Sequence, residues 1–135
     1  MTIQLDVLTR NARLDATEAA MGLNPILRIR TGPPPVNTAA ARSGTVLATV
    51  NLPADWMQAA AGASKAMTGT WADNAADAAG TAGHYEILEA TGTTVKLQGT
   101  VTATGGGGDM TVDNVVFAAT QEFSVTEYVW NEPNG

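Results

Sequence analysis

At 135 residues, with 44 % apolar and only 15 % charged side chains, the chain is long enough to bury a core and too apolar to stay disordered. Its net charge of -6 and its scattered bases (Arg10, Arg13, Arg28, Arg30, Arg42, Lys65, Lys96) form no basic stripe, which argues against direct nucleic-acid binding. The absence of cysteine excludes a disulfide framework, a thiolate zinc site and a cysteine nucleophile.

Apolar residues recurring along residues 5–21 predict an N-terminal helix. Val7, Leu14 and Met21 lie on one stripe, widened by Leu5, Leu8, Ala12 and Ala19, with Gly22 placed for a C-cap and Leu23 for its apolar contact. Asp6 stands where a secretory leader would carry bases, no long apolar run follows, and no segment approaches a membrane span, so a soluble, unexported chain is expected. From Ile26 the period changes to two. Leu27, Ile29 and Thr31 form the apolar face, with Ile26, Arg28 and Arg30 opposite. Gly32-Pro33-Pro34-Pro35 then breaks the strand and opens a long arm to Ser43, expected to be extended and exposed.

Further strands are predicted over 45–52, 65–71, 81–90, 95–102, 110–116 and 123–130, with a short helical turn over 56–61 and an Ala-rich loop over 73–80. Gly105 to Gly108 read as a bulged or tight connection between two strands. About seven strands with regularly spaced turn signals predict a mainly β fold, an antiparallel sandwich or barrel. It forms a single domain over 1–135, divided into the helix over 1–22 and the β part over 23–135.

Chemistry is sparsely marked. His84 is the only histidine, and Glu86 shares its face of the predicted strand, so a general base oriented by Glu86 is one reading and a locally bonded strand residue the other. Without a recognisable nucleophile the second reading is preferred. Ser43, Ser64 and Ser124 lie in no nucleophile-elbow context, and the glycine run lacks the Lys-Ser or Lys-Thr of a phosphate loop. Asp73, Asn74 and Asp77, like Asp109 and Asp113, are too few oxygens for a calcium shell. No catalytic residue, metal or cofactor is therefore expected. Trp56, Trp71 and Trp130 are the large anchors, read as core or interface residues, or as a stacking platform for sugars if exposed and coplanar.

Five stretches, Arg10–Ala16, Leu27–Gly32, Gly44–Thr49 with Leu52–Met57, Gly80–His84 and Gln98–Asn114, lie in order along nearly the whole chain. In them the sequence resembles a family of small proteins from tailed phages and prophages. The resemblance implies a virion structural protein, in the first place a capsid decoration or cement protein on the shell of the major capsid protein. It implies no catalytic residues. Analogy with proteins at threefold positions of shells suggests a homotrimer. The alternatives are a tail, collar or fibre component and a carbohydrate-binding module. For a docking protein, shape, strand edges and a few anchors supply affinity, multiplied by copy number. The contact candidates are Leu8, Arg10 and Arg13 on the helix, Pro33, Pro34 and Pro35 on the arm, and Trp56 and Trp130.

Overall fold

A computed structural model describes residues 3–133; Met1, Thr2, Asn134 and Gly135, the ends of the expected domain, lie outside the described residues. The architecture is mainly β with an N-terminal helix. Helix α1 (Val7–Met21) precedes strands β1 (Ile26–Thr31), β2 (Val46–Asn51), β3 (Ser64–Ala66), β4 (Ala72–Asp73), β5 (Gly80–Leu88), β6 (Val95–Ala103), β7 (Met110–Val112), β8 (Val116–Phe117) and β9 (Phe123–Asn131). The main sheet runs β2-β1-β5-β6-β7-β9-β3, with β4 added to β9 and β8 to β5, and it curls into a half-barrel. The two strands beyond the seven expected are the two-residue β4 and β8.

The glycine run departs from an all-antiparallel sheet. β6 and β7 pair in parallel, Val101 opposite Met110 and Ala103 opposite Val112. Parallel neighbours ordinarily need a crossover of a dozen or more residues. Here residues 104–109 double back directly. Gly105 and Gly107 take positive φ (84° and 82°), and a Cβ on Gly106 or Gly108 would fall 2.7 or 2.9 Å from Thr102. Only glycine lets the returning chain lie flush against the strand it has just left.

The concave side of the sheet holds the core. Leu27, Ile29, Leu47, Ile87, Met110 and Val112 are fully buried there, around an aromatic chain that links Trp71, Trp56, Trp130, Tyr128 and Tyr85. The Tyr85 and Tyr128 hydroxyls share a hydrogen bond of 2.8 Å, and burial pushes the Tyr85 phenol up to about 12. The segment expected as a helical turn is extended instead: Met57 bridges Met67, and Ala61 bridges Ser64 across a tight turn at Gly62 and Ala63. Both turn residues take positive φ (59° and 60°), as a mirror-image hairpin turn demands.

Both edges of the main sheet are covered. On β2, Asp77 donates its N–H to the Leu47 carbonyl (2.7 Å) and Asp73 accepts from the Thr49 N–H (3.3 Å). On β3, the Gln58 N–H donates to the Ala66 carbonyl (2.7 Å). Such covers hinder edge-to-edge pairing at these positions.

The helix is held mainly by polar contacts. Asp6 caps it by accepting from the Thr9 N–H (2.7 Å). Of the expected apolar stripe only Leu14 and Met21 are buried; Leu8 is 75 % exposed, and Leu23 is exposed too. The buried Lys65 ammonium donates to Asp15 (2.7 Å), Glu18 (2.6 Å) and the Gln58 carbonyl (2.7 Å), tying α1 to β3. Its hydrogen bond to Lys65 holds Asp15 below 3.8. Burial pulls Lys65 down, but its bonds to the two carboxylates outweigh it and leave the amine above 10.5. The Asp15 contribution is complete above its unfolded value and is lost as pH falls through the lowered folded one; the Lys65 contribution is complete below 10.5 and is lost as pH rises through the raised one. Amide protection of α1 should therefore be flat between about pH 4 and pH 10 and fall at both ends, whereas Lys65→Met should remove the alkaline loss. An unchanged alkaline loss in that variant would assign it to another group.

Candidate functional site

Two regions hold most of the residues singled out in the sequence: the convex face of β1, β5 and β6, and the outer face of α1. On the convex face the pleat sets Thr49, Arg28, Glu86 and Gln98 in one cross-strand row and Val46, Arg30, His84 and Thr100 in the next. The alternation expected for β1 holds, with Leu27 and Ile29 inward and Arg28 and Arg30 outward.

β5 is buried on both faces over its second half, because the arm does not stand free. The arm leaves β1 at Gly32 and rejoins β2 after Gly44. Its two ends meet where the Thr31 N–H donates to Thr45 (3.1 Å) and the Thr45 N–H to the Thr31 hydroxyl (2.9 Å). Between them it folds back as a compact loop over the sheet. Gln98 donates to the Pro35 carbonyl (2.6 Å), and Arg42 donates to the carbonyls of Asn37 (3.0 Å) and Thr38 (3.2 Å). Pro33 is exposed, Pro34 and Pro35 are half-buried, and Val36 at the tip is 91 % exposed, so the exposure expected for the whole arm holds only for part of it.

Glu86 is the hub beneath this arm. Its carboxylate is wholly buried and faces three guanidiniums: Arg30 at 2.8 Å, Arg42 at 3.3 Å and Arg28 at 4.0 Å. Bases that look scattered in the sequence, up to fourteen residues apart, thus converge on one acid. His84 is also wholly buried. Its Nδ1–H donates to the Gly32 carbonyl (2.8 Å), which fixes the tautomer because a carbonyl only accepts, and Nε2 has no hydrogen-bond partner among the described residues. No hydrogen bond joins His84 to Glu86, so the oriented-base arrangement is not assembled; both residues secure the arm instead.

Gly83 makes the close seating possible. A Cβ there would lie 2.2 Å from the Gly32 carbonyl oxygen and 2.7 Å from its carbon, both backbone atoms. Gly83→Ala should lift the root of the arm and cost about 2 kcal/mol or more by overpacking, read as a lower urea midpoint together with faster amide exchange over residues 32–44. Faster exchange without a lower midpoint would mean that the arm contributes nothing to global stability.

The other candidates are placed as follows. On α1, Leu8 stands in solvent, Arg10 donates to the Glu132 carbonyl (2.9 Å), and the half-exposed Arg13 pairs with the Glu132 carboxylate (3.0 Å). Arg10 and Arg13 thus bind the chain's own C-terminal segment. Trp56 is fully buried, donating to the Gly22 carbonyl (3.3 Å), and is not available as a contact residue; Trp130 is half-buried against it, with ring centroids 5.5 Å apart. The sugar-stacking platform is absent: Trp56 and Trp71 are buried, and Trp130 stands edge-on to Trp56 at 81°. The acidic clusters are committed to the fold. Asp73 and Asp77 hold Thr49, Asp109 accepts from the Thr100 N–H (2.9 Å), and Asp113 accepts from the Ser124 N–H (3.1 Å). Among the described residues no three His, Cys, Asp or Glu side chains are grouped as metal ligands, and no helix is long and apolar enough to cross a membrane.

Comparison with protein-family models, with curated proteins and with solved structures finds no match to this chain.

Proposed function

We propose that this chain is a phage virion structural protein, a decoration or cement protein that binds the outside of the shell built by the major capsid protein and stabilises it, and that it does so in contact with copies of itself as a homotrimer. The observation that carries the docking role is the placement of the exposed apolar side chains. Ile3 (81 %), Val7 and Leu8 (75 %) lie at the N-terminal end of the chain and Val36 (91 %) on the arm, with Leu23 after the helix and Val116 on β8 also exposed. A partner that covers these side chains gains the free energy of burying their apolar surface. The phage assignment rests on the resemblance, the trimer on analogy.

The titratable groups support a role without catalysis. His84, Glu86, Lys65 and Asp15 are each bound to the fold's own backbone or charges. A cement protein also has to persist unchanged in many copies, and small, neutral Ala, Thr and Gly surfaces allow close subunit contact without desolvating charge.

Heads assembled with and without the protein test this reading. Those lacking it should disrupt at lower temperature or in low salt, and adding the purified protein should restore them. Leu8→Glu, exposed and outside the core, should leave melting of the isolated protein unchanged and abolish the rescue. Heads equally robust without the protein would refute the cement role.

A further inference from the structure

We propose that the cleft between the arm and the β5–β6 hairpin, with Arg28 at its base, is an oxyanion-binding site that takes a carboxylate or a phosphate group. It does not rest on the phage reading. The cleft is lined by Thr38, Ala40 and Arg42 on the arm side, by Thr93 and Thr94 on the hairpin side, and by Arg28. No acidic residue lines it.

Arg28 differs from its two neighbours. Arg30 spends its donors on Glu86 (2.8 Å) and the Gly44 carbonyl (3.2 Å), and Arg42 on Glu86, Gln98 and the arm carbonyls. The Arg28 guanidinium makes no hydrogen bond among the described residues. Its nearest carboxylate oxygen is 4.0 Å away, and its side chain is 29 % exposed. Its place in β1, between Thr49 and Glu86 in the cross-strand row, holds the stem while the guanidinium fork remains unused. An arginine fork grips carboxylate or phosphate through two parallel N–H bonds. Charge points the same way: three guanidiniums stand against the Glu86 and Glu89 carboxylates, leaving one positive charge in excess. The other carboxylate nearby, Glu89, accepts from the Thr91 hydroxyl and the N–H groups of Thr93 and Thr94, so its oxygens are engaged within the hairpin and form no hydrogen bond with Arg28.

The test is a titration of the intact protein, followed by NMR of the Arg28 Nε–H and the Thr93 and Thr94 amides, with inorganic phosphate in one series and a short Asp/Glu-rich peptide in the other. A saturable shift of these signals is expected, with a dissociation constant of about 1 mM or tighter. Saturation by phosphate alone identifies a free-anion site; saturation by the peptide identifies a carboxylate presented by a partner. Arg28→Gln should weaken binding roughly tenfold or more, and Arg28→Lys, which keeps the charge and loses the fork, by less. Both variants leave Arg30 and Arg42 on Glu86, and unchanged melting verifies their fold. No saturable shift with either probe, or undiminished binding to folded Arg28→Gln, would overturn the proposal.

Discussion

Glu86→Gln is expected to lower the stability of the folded chain by roughly 3 kcal/mol, a large share of what a domain of this size possesses. The carboxylate is wholly buried, and it is the common acceptor for Arg30 and Arg42, with Arg28 close by. The amide keeps the shape and removes the charge, so three guanidiniums are left facing one another beneath the arm. They remain 12 %, 21 % and 29 % exposed, and water will relieve part of the repulsion, which is why the expected loss sits at the lower end of what breaking a buried pair costs. Urea unfolding reads the loss as a lower midpoint at constant slope. Because Arg42 joins Glu86 to the carbonyls of Asn37 and Thr38, exchange of the arm amides should accelerate most. Adding Arg42→Gln should recover part of the loss, since it removes one of the stranded charges. An unfolding free energy within a few tenths of a kcal/mol of the parent would mean that the convex-face charges are already solvated and do not hold the arm.

Trp56→Ala should cost about 4 kcal/mol. The indole is fully buried, packs against Trp71 at 6.0 Å and Trp130 at 5.5 Å, and donates to the Gly22 carbonyl at the end of α1. It therefore joins the aromatic chain of the core to the helix. Its loss opens a cavity that the sheet cannot close and strips the helix end of a donor. Near-UV circular dichroism should lose its aromatic signal along with the drop in urea midpoint, and Trp56→Phe should retain most of both. A drop below about 1 kcal/mol would contradict the placement of this ring at the centre of the core.

The elements legible in the sequence are those set by local periodicity. β1 shows its inward Leu27 and Ile29 by simple alternation, and α1 shows Leu14 and Met21 by helical spacing. The mainly β class follows from many short Thr- and Val-rich runs, and every observed strand except the two-residue β4 overlaps an expected one. What stayed hidden depends on contacts between distant segments. Nothing near Gly105 says that β6 and β7 run parallel; the reason is the fit of Gly106 and Gly108 against Thr102. The turn after Met57 was obscured because Ala63, an alanine at positive φ, gives no turn signal, and its conformation is supported by a hydrogen bond from its N–H to Asn11 on the helix (2.8 Å).

The convex-face cluster was harder still to read. Three prolines predict an extended, solvated arm, yet Gln98, Arg42 and Gly83 fold it onto the sheet. Arg28, Arg30 and Arg42 look dispersed because charge patterning along a chain does not register convergence across strands. A usable trace exists: alternating arginines opposite Leu27 and Ile29, and a glutamate inside a strongly apolar strand, both call for a partner. Trp56, weighed between core and contact residue, was decided by a neighbour far along the chain, since Trp130 and Trp71 enclose it only after β9 and β4 are in place.

The docking account turns on abundance in the particle. Quantitative electrophoresis of purified virions, with the protein's band measured against that of the major shell subunit, separates a surface-covering role from a tail, collar or fibre role. The account predicts a fixed, high stoichiometry that tracks the shell and disappears from tails purified alone. A handful of copies per particle, co-purifying with tails, would contradict it.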